Sequence, residues 1–404
     1  MKTRLSVVII MLVASLAAQD AMQPAGSQKR SLTERDLFDF VWVANPQLSP
    51  DGSRVAFTRV TVDQKRTGYE TSIWIAATNG KENPVRMTNG KHDAQPRWSL
   101  DGSHIIFVRG GDKDESGKPK PGQLAMLSLA GGEASTITDL PKGASSPVWS
   151  PDGKRIAFVS STTQDDIQKA QRKKNAKPGD DQAESEHETD VHVINRAVYR
   201  SNDEGYLDPR RHAHIWLVEI PTSVDEVPKP VQLTEGNFDE GQLVWSHDGS
   251  RIYFLTRHID EPYYETPSTD IYSVPSVGGN PEKLATIPMG IGGLVLSPDG
   301  RQFAFNGAVT QPIRSYSQPD LWVMDVAPDA KPRNLTADYD MGSAVGGDNA
   351  APRGGRGHML YWSPDGRWLF DVVEKQGRSP IVRVDTKSGG VSEITRGDEA
   401  VLDF

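Results

Sequence analysis

The sequence predicts an all-β fold, a β-propeller built from four-stranded blades. Three observations predict it. A Ser-x-Asp-Gly motif recurs six times, with its aspartates at Asp51, Asp101, Asp152, Asp248, Asp299 and Asp365. The copies lie 50, 51, 96, 51 and 66 residues apart, so three intervals are nearly equal and two need insertions. Each copy also sits in the same order of short apolar runs, as in "WSPDGKRIAFVS", Trp149 to Ser160. A unit of this period with four strands is a propeller blade. One blade cannot bury both of its faces, and stacking blades around an axis does so.

The elements follow in chain order. Lys2 and Arg4 precede the apolar run "LSVVIIMLVASLAA", and small residues close it before polar "QDAMQ". This predicts a secretory signal peptide over residues 1–20, cleaved near Ala17–Ala21. The run is too short to favour a membrane span. Residues 21–39 form a lead, in which "SLTERDLFDF" predicts a short helix with Ser31 and Glu34 as a capping box. Leu37, Phe38 and Phe40 are its apolar residues.

The propeller is expected over residues 40–404. In each unit a first strand ends in Trp or Leu, as in "AQPRW" or "GQLVW". The motif then turns the chain, and a second strand alternates, as in "RVAFT" or "RIYFL". A third follows, such as "HIWLV" or "DLWVM", and a fourth ends in pairs such as Met87-Thr88 or Leu233-Thr234. Between the third and fourth, Asn79-Gly80, Gly131-Gly132, Gly278-Gly279 and Gly389-Gly390 supply the positive φ of tight turns. Six complete blades fit before Arg396, and "DEAVLDF" reads as the start of a seventh.

Two stretches break the period. Thr162 to Asp190 is polar and charged, and reads as a mobile insertion between the second and third strands of blade 3. Asp338 to Met359 is a Gly-rich loop into blade 6; no strand precedes its glycines and no Gly-Lys-Ser/Thr follows, so it is not a phosphate loop.

Composition excludes several chemistries. The chain carries 54 acidic against 45 basic side chains, which argues against a nucleic-acid surface. It has no cysteine, which removes disulfides, thiol catalysis and thiolate metal sites. There is no G-x-S-x-G nucleophile elbow and no HExxH. His212 and His214 lie two apart near a strand start, but no third ligand is evident, so neither a metal nor a cofactor is expected. The motif aspartate has a structural role, accepting backbone N–H bonds across its turn while Gly takes the left-handed position. The candidate binding cluster is Arg196, Tyr199, Arg200, Asp203 and Glu204, with Tyr206, Arg210 and Arg211 beside it. These residues can grip peptide termini by charge-assisted hydrogen bonds, or equally tie an inserted loop to the propeller rim.

The blade text, with W-S-P-D-G, alternating I-A-F, and G-G before L-T, resembles the propeller of the prolyl oligopeptidase family of serine peptidases. The fit is best to its acylaminoacyl-peptidase and dipeptidyl-peptidase-like bacterial branch. The resemblance rests on "LTERDLFDFVWVANPQLSPDGSRVAFT", "VHVINRAVYRSNDEGYLDPRRHAHIWLVEI" and "VQLTEGNFDEGQLVWSHDG". It implies a propeller that admits short peptides to a C-terminal α/β-hydrolase domain holding a Ser, Asp and His triad. No triad residue falls within this chain, which alone is expected to be inactive. Asp203-Glu204 does not closely match the paired glutamates with which dipeptidyl peptidases hold an amino terminus. The expected partners are peptide substrates and that hydrolase domain, in the periplasm or outside the cell. The alternative is a non-catalytic periplasmic propeller that binds proteins, similar to the Tol-system translocation protein.

Overall fold

The computed structural model describes residues 30–113, 117, 119–175, 191, 193–201, 205–221, 228–259, 264–312, 317–339, 360–398, 401 and 404. The chain divides into two compact units, residues 1–40 and Val41–Phe404. The expected signal peptide lies outside the described residues. In the first unit the predicted helix is a single 3-10 turn, Asp36–Phe38, and its cap differs from the expected box. The carboxylate of Asp36 accepts the Thr33 backbone N–H at 2.7 Å and the Thr33 hydroxyl at 2.9 Å, and it pairs with Arg30. Thr33-x-x-Asp36 takes the role assigned to Ser31-x-x-Glu34, because the shorter carboxylate reaches back to the turn N-terminus.

In the second unit each repeat folds into one four-stranded antiparallel meander, giving the six blades of a propeller. Blade 1 is Val41–Leu48, Arg54–Val62, Tyr69–Ala77 and Val85–Arg86. Blade 2 is Asp93–Trp98, His104–Arg109, Gln123–Ser128 and Ser135–Thr136. Blade 3 is Ser145–Trp149, Arg155–Ser160, His214–Glu219 and Val231–Gln232. Blade 4 is Glu240–Trp245, Arg251–Thr256, Thr269–Pro275 and Glu282–Ile287. Blade 5 is Met289–Leu296, Gln302–Val309, Asp320–Asp325 and Arg333–Asn334. Blade 6 is Tyr361–Trp362, Trp368–Val372, Ile381–Asp385 and Val391–Glu393. The first strands of successive blades neighbour one another, so they are the inner strands. In blades 1 to 5 a register shift falls on this strand, at Asn45, Gln95, Ser146, Gln242 and Gly293, all with positive φ. These bulges help link blades: the Asn45 side chain accepts from Arg97 at 2.9 Å, and that of Gln95 accepts the Ser146 N–H at 3.1 Å.

The repeated letters explain the packing. In the second strand the motif phenylalanine faces the preceding blade. Phe107, Phe158, Phe254 and Phe305 are all buried, each in the apolar cluster that joins its blade to the one before. Burial of each side chain stabilises by roughly 1.5–3 kcal/mol. The tryptophan before the motif works in the same interface. Trp98, Trp149 and Trp245 donate from Nε1 to the carbonyls of Gln47, Arg97 and Val148 on the preceding blade. The arginine after the motif completes two of these contacts, Arg54 over the Trp98 ring at 5.0 Å and Arg155 over Trp245 at 5.4 Å.

The Leu-Thr pairs prove to lie just after the short fourth strand. Their threonine hydroxyls accept N–H groups of the third strand: Ile73 to Thr88, Leu124 to Thr138, Ile215 to Thr234, Leu321 to Thr336 and Ile381 to Thr395. A side chain thus extends a ladder that two-residue strands leave short.

The apolar clusters of the described residues join blades 1 and 2, 2 and 3, 3 and 4, 4 and 5, and 5 and 6. The face of blade 1 turned away from blade 2 carries Leu48 at the tryptophan position, and Leu48 is 61% exposed. Of the expected seventh blade, Asp398, Val401 and Phe404 are described and none lies in a strand. Val401 donates to the Ser379 carbonyl at 2.9 Å, and the Phe404 ring meets Tyr361 edge-on at 5.2 Å.

The insertion in blade 3 begins differently from the expected loop. Gln164–Asn175 is an α-helix, α1. Thr163 and Asp166 cap it reciprocally, Asp165 pairs with Lys169 four residues on at 3.1 Å, and Arg172, Lys173 and Lys174 close its last turn. Residues 176–190 lie outside the described residues.

Candidate functional site

The meander sorts the connections onto two faces. Turns between first and second strands, and between third and fourth, lie on one face of the ring. Connections between second and third strands, and from blade to blade, lie on the other. The first face is uniform. In all six motifs the Ser hydroxyl donates to the Asp Oδ1 at 2.5–2.6 Å. The same Asp oxygen accepts the N–H two residues on at 3.0–3.1 Å. Gly52, Gly102, Gly153, Gly249, Gly300 and Gly366 hold φ between 68° and 71°, a conformation that a Cβ would strain. These bonds hold the six carboxyls below their ordinary range, to about 2 at Asp51 and Asp248, with the Ser hydroxyl the largest cause. Each motif aspartate is consumed by its own turn and carries no chemistry.

The second face holds the departures from the repeat. Its second-to-third connections run over 63–68, 110–122, 161–213, 257–268, 310–319 and 373–380. The longest contains the candidate cluster. Arg200–Ser201 and Gly205–Tyr206 pair as a two-stranded antiparallel ribbon, and Leu207 donates to the Tyr199 carbonyl at 3.0 Å. The rings of Tyr199 and Tyr206 stack at 6.2 Å, and the Arg200 guanidinium sits 5.7 Å over Tyr206. Arg196 is exposed nearby in sequence. Asp203 and Glu204 lie outside the described residues.

Arg210 and Arg211 have other work. Arg210 bonds Asp208 at 3.2 Å on the surface. Arg211 reaches Asp166 of α1 at 2.5 and 3.2 Å and the Ser161 carbonyl at 3.1 Å. Burial pushes the Asp166 carboxyl up, but the bonds from Arg211 and Thr163 outweigh it and hold it at about 2. This pair closes the base of the insertion, so the tie to the rim and the exposed cluster are separate parts of one stretch.

The rim where blades 3 and 4 meet carries three histidine–carboxylate pairs that the sequence did not disclose. His212 Nδ1 lies 3.9 Å from Asp239, and His214 Nδ1 lies 3.4 Å from Glu240. Glu240 also takes the Thr234 hydroxyl. His258 Nδ1 meets Asp270 at 2.8 Å, with Phe238 and Tyr272 edge-on to its ring at 4.5 and 5.2 Å. Burial raises the Asp270 carboxyl, yet Thr286, His258 and Lys283 together lower it. The fourth-to-first connections bring Asp239 and Glu240 to this rim, and the end of one strand opposite the start of the next brings His258 to Asp270. Among the described residues no three His, Asp or Glu side chains are placed to hold a metal ion.

No protein-family model matches the chain. Individual relatives do. Dipeptidyl-peptidase 5 of Porphyromonas gingivalis is 22% identical over 414 residues, an alignment that covers 98% of this chain and 54% of that protein. The acylaminoacyl peptidase of Pyrococcus horikoshii superposes over 93% of this chain and 49% of its own, with a TM-score of 0.61 and 17% identity. The propeller matches those of the prolyl oligopeptidase family. An uncharacterized peptidase of Bacillus subtilis, YuxL, is 31% identical over 228 residues, 56% of this chain and 31% of its own. The chain therefore spans about half the length of the dipeptidyl and acylaminoacyl peptidases, and that half is their propeller.

Proposed function

We propose that this chain is the propeller that controls peptide access to the catalytic domain of an exported serine peptidase, one that cleaves short peptides by an acyl-enzyme route. One observation carries the reading: almost the whole chain aligns with half of a dipeptidyl peptidase, and that half is propeller. Blades packed face to face make a stiff scaffold, which suits a part that controls access. On this reading, as the family resemblance implies, the Ser, Asp and His of hydrolysis belong to an α/β-hydrolase domain outside residues 1–404. The apolar run Leu5 to Ala18 supports export.

The reading frame beyond Phe404 is the test. It should encode a G-x-S-x-G elbow followed by Asp and then His. The longer polypeptide should release chromophore from dipeptide or acyl-amino-acid anilides and spare folded proteins, while the 404-residue chain does neither. Turnover by the 404-residue chain, or a frame that leads into no hydrolase, overturns the proposal. Export is checked by fractionation and by sequencing the mature amino terminus, expected near residues 18–22.

A further inference from the structure

We propose that His212 is a pH-sensitive catch, fastening the returning end of the 161–213 connection to blade 4 when its ring is protonated. The inference stands apart from the peptidase reading. It begins with the tautomer. Nε2 of His212 lies 3.2 Å from the Pro209 carbonyl, which can only accept, so Nε2 carries the proton. That leaves Nδ1 of the neutral ring with a lone pair. Nδ1 is buried, has no hydrogen-bond partner among the described residues, and lies 3.9 Å from Oδ1 of Asp239. A lone pair thus faces a carboxylate oxygen. Protonation replaces that repulsion with an N–H donor and an ion pair. Histidine is the side chain that undergoes this change between about pH 8 and pH 5.

The place of the pair gives the charge a mechanical result. Asp239 Oδ1 also accepts the Ala213 N–H at 2.7 Å, and the Glu240 N–H donates to the Ala213 carbonyl at 2.9 Å. Residues 212–213 and 239–240 therefore join the returning stretch of blade 3 to the first strand of blade 4. The other described charges of this region have carboxylates or cations of their own. On the returning stretch Arg210 pairs with Asp208, and Arg211 with Asp166 of α1. His214 meets Glu240, and on blade 4 His258 and Lys283 share Asp270. Glu235 stands exposed earlier on the blade 3–4 connection. Asp239 is the carboxylate left to His212. It gains an N–H from that ring only when the ring is charged, so the catch is tight in acid and loosens as pH rises.

The experiment follows amide hydrogen exchange of the 404-residue chain by mass spectrometry at about pH 7.8 and about pH 5.8, each rate divided by the intrinsic rate at that pH. Peptides spanning 208–216 and 236–243 should gain about threefold protection on acidification, the size of a half-exposed ion pair, while blades 1, 5 and 6 stay flat. His212→Gln keeps an amide for the Pro209 carbonyl and removes the titration, so protection should be equal at both pH values. Asp239→Asn keeps an acceptor for Ala213 and removes the charge, with the same result; the Asp239 side chain is 74% exposed, so the blades tolerate this change. His258→Gln, at the neighbouring pair, should retain the threefold response. Far-UV circular dichroism confirms that each variant is folded.

Wild-type protection that does not change with pH overturns the proposal. So does a pH response of undiminished size in His212→Gln or Asp239→Asn. A loss of protection in His212→Gln that is equal at both pH values, beside a flat wild type, assigns the ring to support of the Pro209 turn and likewise overturns it.

Discussion

Replacing Trp98 with leucine tests how the blades are held together. Leucine is what blades 1 and 5 carry at this position, so the change stays within the vocabulary of the repeat. Trp98 is buried, its Nε1 donates to the Gln47 carbonyl at 2.8 Å, and Arg54 covers its ring at 5.0 Å. The substitution removes an indole–carbonyl bond worth about 1 kcal/mol and leaves the carbonyl short of a partner. It removes a cation–π contact worth about 0.5–1 kcal/mol. The lost ring volume adds roughly 1–2 kcal/mol, since truncating a buried tryptophan fully to alanine costs about 3–5 kcal/mol. The sum is about 3 kcal/mol.

Unfolding entropy scales at about 2.1 cal/mol/K per residue, so a propeller of this size has about 0.8 kcal/mol/K and Trp98→Leu should lower Tm by about 4 °C. Leu48→Ala is the control, because Leu48 is mostly exposed, and it should shift stability by less than about 0.5 kcal/mol. Urea titrations followed by circular dichroism read both. Equal and small effects would refute the claim that this position closes one blade onto the next. An Arg54→Ala, Trp98→Leu cycle should show coupling near the cation–π value.

Three further outcomes are expected. Phe158→Ala, at a fully buried position between blades 2 and 3, should cost about 3–5 kcal/mol, and a loss under 1 kcal/mol in the same titration would contradict the packing. Stability should fall on acidification. The motif aspartates have folded pKa values below the unfolded value of 3.8, so their contribution is complete above that pH and is lost as pH drops towards about 2. Urea midpoints between pH 5 and 2 should trace this loss, and Asp248→Asn should flatten the curve; an unchanged slope counts against the turn's role. Arg211→Ala should expose the base of the insertion, seen as faster trypsin cleavage around α1 with the blades intact, whereas an unchanged digest would show that the Asp166 pair does not fasten it.

The blades were legible because their causes are local. Ser, Asp and Gly make the same turn wherever they fall at that spacing, and alternating apolar residues can face only two neighbours. The capped helix α1 was also written locally, in Thr163-x-x-Asp166 and the Asp165–Lys169 pair, but the high charge of the stretch masked it. By contrast, His258 and Asp270 are separated by a connection of variable length, and His214 meets Glu240 across two blades. Only the assembled sheets bring such residues together. Tyr199, Arg200 and Tyr206 were singled out as a cluster, yet their stacking depends on a two-residue pairing too short to leave a periodic trace. Asp203 and Glu204 belong to the same candidate cluster and lie outside the described residues.

The two faces of the ring also differ in how much change they can absorb. On the uniform face, one added residue would separate a serine hydroxyl from its aspartate and strand several backbone groups at once. On the opposite face, blade 3 already accommodates the whole of 161–213 between two paired strands without losing their register. Doubling such a connection costs only about 0.6 kcal/mol in closure entropy. The propeller thus has one side fit for grafting: a binding loop, an epitope or a reporter placed between second and third strands should leave the blades as they are.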